Sequence, residues 1–535
     1  MKTMINSIIL ASCLALPLAS CSDSDAAPEQ KDWSTTTYFN SSDAAAQDTY
    51  YKPAVGYVGD PMPFFDPVAG DFKVLYLQDF RPNPEGTYHP IWGVSTKDAA
   101  HYTALGELVS CGTLKSQDAA IGTGSTIYDE ASKLYYTFYT GNKYKPTGDE
   151  SAQVVMVATS ADFKIWTKDR TFLLKGQDFG YDKNDFRDPF VFKGDDGKFH
   201  MLISTKKGGK GSLAEFVSDD LKNWTDNGVF MTMMWDRFYE CPDLFKMGDY
   251  WYLVYSEIHH AVRRVQYFKG RTLDELKACT ANDVARWPDA HEGFLDSRGL
   301  YAGKTASDGT NRYLWGWCPT RSGKDNTAVG ASPAEPEWAG NLVCYKLIQH
   351  EDGTLTLGQV DAVSEKYNQD VAVEVKESQN MTEADGTYTL AGSVEQPDAY
   401  MLMGRLGSHN KISFTVTTSN EWDKFGISMV RGSDSKKYYT MVVNPENENN
   451  RKVNFEEQGV EGKGFIAGID GYVFARPADN VYNITIYTDN SICVMYINDV
   501  CSYTNRIYGI QKNCWSINSY NGANVKISNL KISQY

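Results

Sequence analysis

The sequence predicts an all-β protein, a five-bladed β-propeller followed by a C-terminal β-sandwich. Strand-like runs with period-two or aromatic character recur in pairs, and five such pairs follow one another without helical periodicity between them. Short apolar segments that would supply an inner strand stand before the pairs. A small internal repeat agrees with this. Ser160-Ala161-Asp162 leads to Trp166 and Ser218-Asp219-Asp220 leads to Trp224 at the same spacing, with a weaker copy from Ser95 to Tyr102. A period of about 60 residues suits one blade and its loops.

Taken in chain order, residues 1–20 read as a secretory signal, with Lys2, an apolar stretch from Ile8 to Leu18, and then Leu18-Ala19-Ser20-Cys21. That last run resembles the bacterial lipobox, which implies a lipid-modified Cys21 as the mature N-terminus. The alternative Leu10-Ala11-Ser12-Cys13 leaves too short an apolar core. Residues 21–48 are polar, acidic and rich in Ser, Asp and Ala, the composition of a flexible tether. The expected location is outside the cytoplasm, lipid-anchored at an outer-membrane, cell-surface or periplasmic face. After the signal no stretch reaches the roughly 18 apolar residues of a membrane span.

Residues 49–360 hold the five blades. The pairs are Phe72 to Gln78 with Ile91 to Ser95, Leu134 to Tyr139 with Val154 to Thr159, and Phe199 to Ser204 with Leu213 to Val217. Tyr250 to Tyr255 with Val262 to Phe268, and Tyr313 to Trp317 with Leu342 to Leu347, complete the set. Inner strands are expected at Gly59 to Phe65, Gly124 to Tyr128, Pro189 to Phe192, Pro242 to Lys246 and Leu300 to Thr305. From about Tyr367 the texture changes to shorter alternating strands separated by turns such as Asp489-Asn490 and Asn498-Asp499. Residues 366–535 are therefore expected to form the sandwich, with strands at Lys411 to Thr417, Phe425 to Val430, Tyr438 to Val443, Tyr482 to Thr488, Ile492 to Ile497 and Val525 to Ile532.

Bulk properties narrow the function. A chain of 535 residues exceeds one ordinary core, so two folded domains are expected. A net charge of -16 without Lys/Arg clusters argues against nucleic acid as a partner. Aromatics at 13%, with 34 Tyr and 12 Trp, suit platforms for sugar rings. Eight Cys beyond the signal lack CxxC spacing, so neither a zinc site nor a disulfide framework is indicated. No HExxH and no Gly-rich phosphate loop occur, and neither metal nor cofactor is expected.

Three carboxylates open equivalent inner-strand segments: Asp60 in GYVGDPMPFFDP, Asp188 in DFRDPFVF and Glu240 in YECPDLF. In a propeller, residues at the starts of inner strands converge on one rim. Acids gathered there suit hydrolysis of a glycosidic bond, which needs a proton donor and a second carboxylate. Arg187 adjoins Asp188 and is expected to keep a carboxylate ionised. Glu240 lies between Tyr239 and Cys241-Pro242, surroundings expected to be apolar, as a general acid requires.

DFRDPFVF with the downstream KFHMLIS, and ECPDLF, resemble two motifs of glycoside hydrolase family 32, the β-fructofuranosidases that include invertases, inulinases and levanases. Trp92-Gly93 with Ser95 and Asp98, Gly124-Ser125 with Asp129, and Trp338-Ala339-Gly340 occur in the family's order. YNITIYTDNSICVMYIND, followed by Arg506-Ile507-Tyr508, looks like the family's C-terminal sandwich. The resemblance implies retaining cleavage of β-fructofuranosyl linkages. Asp60 would be the nucleophile, Glu240 the acid/base, and Asp188 the residue that binds substrate hydroxyls and stabilises the transition state. It also implies a substrate-binding set of Gln78, Trp92, Ser125, Arg187 and Trp338.

The first motif departs from the family's Trp-Met-Asn-Asp-Pro-Asn-Gly, reading Tyr57-Val58-Gly59-Asp60-Pro61-Met62-Pro63. Gly122-Thr123 stands where the family has Phe-Ser. These changes bear on the sugar more than on the chemistry. Two other readings stay open at this level. One is a propeller hydrolase of the inverting type acting on arabinan or xylan; the other is a non-catalytic lipoprotein that captures oligo- or polysaccharide.

Overall fold

The computed structural model describes residues 49–80, 89–233, 238–257, 264–279, 293–320, 338–431, 438–445, 452–458 and 472–535. The expected signal segment, Cys21 and the tether lie outside the described residues.

Five four-stranded blades follow in order. Blade 1 is β1 (Tyr57–Asp66), β2 (Asp71–Asp79), β3 (Ile91–Thr96) and β4 (Thr103–Val109). Blade 2 is β5 (Ala120–Asp129), β6 (Leu134–Asn142), β7 (Gln153–Ser160) and β8 (Thr167–Leu174). Blade 3 is β9 (Phe186–Lys193), β10 (Phe199–Lys207), β11 (Lys210–Ser218) and β12 (Thr225–Thr232). Blade 4 is β13 (Glu240–Met247), β14 (Tyr250–Glu257), β15 (Arg264–Gly270) and β16 (Phe294–Leu295), and blade 5 is β17 (Tyr301–Ser307), β18 (Arg312–Pro319), β19 (Gly340–Gln349) and β20 (Leu355–Gly358). All five inner strands fall where the sequence places them. Val262, expected to begin β15, lies outside the described residues. Each blade also has a fourth, outer strand.

The middle strands are buried on both faces, because each blade packs against two neighbours. Along β6, Tyr135 and Tyr139 enter the core shared with blade 1, while Tyr136 and Phe138 enter the core shared with blade 3. On β14, Leu253 and Tyr255 face blade 3, and Tyr252 and Val254 join the core around blades 5 and 1. Alternation here selects which apolar core a side chain enters. Full burial of such a side chain contributes about 1.5–3 kcal/mol.

The Ser-x-Asp-x-x-x-Trp repeat is the turn from the third to the fourth strand. Ser218 Oγ accepts from the backbone N–H of Asp220 (3.2 Å) and Leu221 (2.9 Å), and Trp224 Nε1 donates to Leu221 O (3.3 Å). Ser160 caps Asp162 in the same way at 3.3 Å. The weaker copy is in phase at Thr96, whose Oγ1 accepts from Ala99 N at 3.0 Å, with Tyr102 OH donating to Ala99 O at 3.0 Å in place of the Trp. A hydroxyl that satisfies turn N–H groups fixes this corner in three successive blades.

The ring closes between blades 5 and 1. Val58 pairs with Gly340, Leu342 N donates to Tyr51 O at 2.8 Å, and Asn341 Nδ2 donates to Tyr50 O at 3.2 Å. Among the described residues, two short α-helices were not foreseen. Helix α1 (Leu273–Ala278) is capped by Thr272, whose side chain accepts from Glu275 N while Glu275 reaches back to Arg271 N at 2.7 Å. Helix α2 (Asp361–Lys366) links the propeller to the sandwich.

Strands from Gln369 to Gln534 build two sheets that face each other across an apolar core containing Phe414, Met441, Ile484, Met495 and Trp515. The sandwich has more strands than the sequence pattern shows. Val375–Gln379 and Met381–Ala384 are largely exposed, so they carry no apolar alternation to read. Buried Arg506 anchors this domain to blade 5, donating to Pro319 O (3.0 Å), Cys318 O (2.9 Å) and Asn341 Oδ1 (2.6 Å). That grip fixes the end of β18 next to Trp317.

Candidate active site

Every inner strand breaks register at its start. The shifts lie between Gly59 and Met62 on β1, Gly122 and Gly124 on β5, Glu240 and Asp243 on β13, and Tyr301 and Lys304 on β17; on blade 3 the break faces β10 between Leu202 and Ser204. The bulged residues are Asp60, Thr123, Asp188, Cys241 and Ala302. Four of them have positive φ: Asp60 (35°), Asp188 (58°), Cys241 (51°) and Ala302 (52°). Such backbone costs of order 1–3 kcal/mol per residue and is kept where it aims a side chain. Pro61, Pro189 and Pro242 follow directly, since a bulge needs no ladder N–H there. The Asp-Pro and Glu-Cys-Pro signatures are thus the sequence mark of one device repeated around the axis.

The bulges surround a cavity of about 230 Å³ lined by Asp60, Thr123, Arg187, Asp188, Glu240 and Tyr301, among others. Asp60 is oriented by two donors. Thr123 Oγ1 donates to Oδ2 at 2.8 Å, and Trp317 Nε1 donates to Oδ1 at 3.0 Å. Glu240 accepts from Arg187 on Oε1 at 3.1 Å and from the Tyr301 hydroxyl on Oε2. Its partners are therefore polar, unlike the apolar surroundings expected from Tyr239 and Cys241.

Asp188 is buried, accepts from Cys241 N at 2.9 Å, and its own N–H donates to Thr140 Oγ1 at 2.9 Å. Burial pushes its carboxyl up to about 6, against the attraction of Arg187 and with a further push from Glu240. Arg187 favours the ionised form of Asp188, as expected, but burial outweighs it. Successive residues of the bulge point apart, and the guanidinium is spent on Glu240, on Asp185 (2.7 Å) and on Gln153 (3.2 Å) while stacking on Phe238 at 3.8 Å. Desolvation consequently wins at Asp188.

Of the expected substrate-binding residues, Arg187 and Trp338 line the cavity. Gln78, Trp92 and Ser125 do not. Gln78 is fully buried on β2, with Nε2 donating to Val55 O. Trp92 packs edge-on against Phe80, 5.8 Å between centroids. Ser125 clamps two blades, donating to Pro189 O at 2.9 Å and accepting from Val191 N at 2.9 Å. It lies beyond the bulge, where the side chain turns from the axis into the seam between blades.

Trp338 packs over the altered first motif. A Cβ on Gly59 would lie 2.3 Å from Trp338 Cη2 and 2.7 Å from Cζ2, so the indole occupies the space of a side chain at position 59. The indole also stacks on His89, 4.3 Å between centroids. Sequence reading missed Trp317, Tyr301, Asn142, Gln153 and His89 at the site. Tyr301 was within reach, because it holds the same bulge position in blade 5 as Glu240 in blade 4.

Residues 50–360 match the family model for the glycosyl hydrolases family 32 N-terminal domain, and residues 353–532 match the model named GH32, BT1760-like, C-terminal domain. An insoluble β-fructofuranosidase isoenzyme of Arabidopsis thaliana is 25% identical over 320 residues, covering 54% of this chain and 51% of the relative. A sucrose-6-phosphate hydrolase of Vibrio alginolyticus is 25% identical over 217 residues, covering 39% and 41%. The chain thus spans about half the length or less of these curated relatives. Among solved structures, sucrose-6-phosphate hydrolase from Lactobacillus gasseri superposes with TM-score 0.67 at 18% identity, covering 92% of this chain and 93% of that one. An exo-inulinase from Aspergillus awamori gives TM-score 0.66 at 15% identity, covering 91% and 98%. These likenesses show a common fold. With the N-terminal model alone spanning more than half of its residues, the chain belongs to glycosyl hydrolase family 32.

Proposed function

We propose that this protein hydrolyses β-fructofuranosyl linkages of fructan or sucrose-like substrates with retention. The observation that carries the reading is the division of labour between two carboxyl groups in one cavity. Asp60 is held by the Thr123 hydroxyl and the Trp317 indole, while Glu240 is held by Arg187 and Tyr301. A fixed, neutral-donor setting suits a nucleophile, and a carboxyl shared between a cation and a phenol suits a group that gives up and regains a proton. Asp60 attacks the anomeric carbon as the bond to the leaving oxygen breaks, and protonated Glu240 delivers its proton to that oxygen. Glu240 then takes a proton from water, which attacks the same carbon and frees Asp60. Asp188 accepts hydrogen bonds from hydroxyls of the sugar. No step calls for a metal or cofactor. The Leu18-Ala19-Ser20-Cys21 run supports placing the mature protein outside the cytoplasm on a lipid at Cys21.

The test is a panel of sucrose, inulin, levan and arabinan with the wild type and Glu240→Gln. Fructose release by the wild type, lost in the variant, is the expected result, with the first-formed anomer followed by NMR to establish retention. Cleavage of arabinan but of no fructan would show that the sugar class is wrong.

A further inference from the structure

The bulge repeat places five residues in equivalent positions, each just before a bulged one: Gly59, Gly122, Arg187, Glu240 and Tyr301. Three carry side chains into the cavity; blades 1 and 2 have glycine. Neither space is empty. Trp338 fills the one above Gly59, and a Cβ on Gly122 would lie 3.1 Å from Asn142 Nδ2 and 3.0 Å from Thr140 Cβ.

Asn142 ends β6, directly opposite Gln153 on β7. The Gln153 amide has a determined orientation. Its Oε1 accepts from Phe186 N and from Arg187 Nη1, both at 3.2 Å, so its nitrogen must be the group facing Asn142. Gln153 Nε2 donates to Asn142 Oδ1 at 3.0 Å. This consumes the Asn142 oxygen and turns its NH₂ toward Gly122 and the cavity, which Asn142 lines. Among the described residues Asn142 Nδ2 has no acceptor.

A sugar hydroxyl both donates and accepts. The three cavity carboxylates supply acceptors. Thr123, Trp317, Tyr301 and the Arg187 NH2 group all direct hydrogen bonds at carboxylates instead of at open space. The Asn142 NH₂ is a donor in the cavity that no carboxylate claims, and it is available to hydroxyl oxygens of a bound sugar.

We propose that Asn142, locked by Gln153 over Gly122, is a specificity-determining residue that donates hydrogen bonds to hydroxyls of the sugar in the cavity. The assignment rests on the proposed function for the identity of the sugar, and on the cavity geometry for the donor.

The experiment compares the full chain with Asn142→Ala and Asn142→Asp. It measures initial rates on the fructoside that the wild type cleaves, fructose affinity by titration calorimetry, and the thermal midpoint. Loss of one or two hydrogen bonds to neutral hydroxyls is expected to raise KM and the fructose dissociation constant about three- to tenfold in Asn142→Ala, with kcat changed less than KM. Asn142→Asp keeps the size but replaces the donor with an acceptor, so it should be impaired at least as much. The thermal midpoints should stay together, since the side chain is half-buried. Wild-type KM and fructose affinity in Asn142→Ala would overturn the assignment. So would wild-type behaviour of Asn142→Asp, or a loss confined to kcat and thermal midpoint, which would place Asn142 in a support for Gln153 and Arg187. If no fructoside is cleaved but arabinan is, the proposed function fails, and the same comparison is read on arabinan with the same opposing outcomes.

Discussion

Replacing Asp188 by Asn removes a carboxyl that the fold holds in the wrong medium for its charge. Only 4% of the residue is exposed, and burial raises the carboxyl from 3.8 to about 6. Between those values the folded protein holds the proton while the unfolded chain has released it. Stability therefore falls as pH rises through this window, and the effect is complete above the folded value. At 1.36 kcal/mol per pH unit, the full difference corresponds to about 3 kcal/mol, of which about 2 kcal/mol is lost between pH 4 and pH 7 because the unfolded carboxyl is already partly ionised at pH 4. Set against a total of roughly 5–15 kcal/mol for a folded domain, this is readily measured. An Asn at the same place carries no such dependence and can still accept from Cys241 N through its amide oxygen. Urea unfolding of both proteins at several pH values from 4 to 7.5 gives the difference directly. The stability of Asp188→Asn relative to the wild type should climb by about 2 kcal/mol with pH over that range. A flat difference, or one that falls, would refute the claim that desolvation outweighs Arg187 at this site.

Thr123→Val removes the hydroxyl that donates to Asp60 Oδ2 while keeping the side-chain shape, and leaves the Trp317 indole donating to Oδ1. A hydrogen bond to a charged group contributes about 1.5–3 kcal/mol, so kcat should fall about ten- to 150-fold with little change in thermal midpoint, and unchanged kcat would show that the hydroxyl does not orient the nucleophile. Gly59→Ala forces the Trp338 indole away from a Cβ that would otherwise sit 2.3 Å from it. Overpacking of this kind costs about 1–3 kcal/mol, so both thermal midpoint and KM should worsen; a variant matching the wild type in both would mean the indole moves freely.

The fold was legible because its cues are local and repeated. Aromatic strands, turn residues and the Ser/Thr-x-Asp corner each specify a blade from neighbours in sequence, and the structure keeps the blade register they imply. Asp60, Asp188 and Glu240 were legible for the same reason, since each precedes or adjoins a Pro at the entry of an inner strand. The outer strands β4, β8 and β12 and the exposed strands of the sandwich were harder to see. Their side chains face water on one or both sides, and no apolar period marks them.

What the residues alone determined is the set of blades and the acids that start them, because hydrophobic periodicity and Asp-Pro chemistry act over a few positions. Which of the neighbouring side chains reach the cavity was decided only by the tertiary structure. Two residues beyond the bulged Thr123, Ser125 turns into a seam between blades. Trp317, Tyr301 and Asn142 arrive from strands distant in sequence, and Trp338 enters a space that Gly59 leaves open. A bulge rotates each following side chain, and five blades bring their bulges together around an axis. Neither effect is contained in the spacing of a single strand.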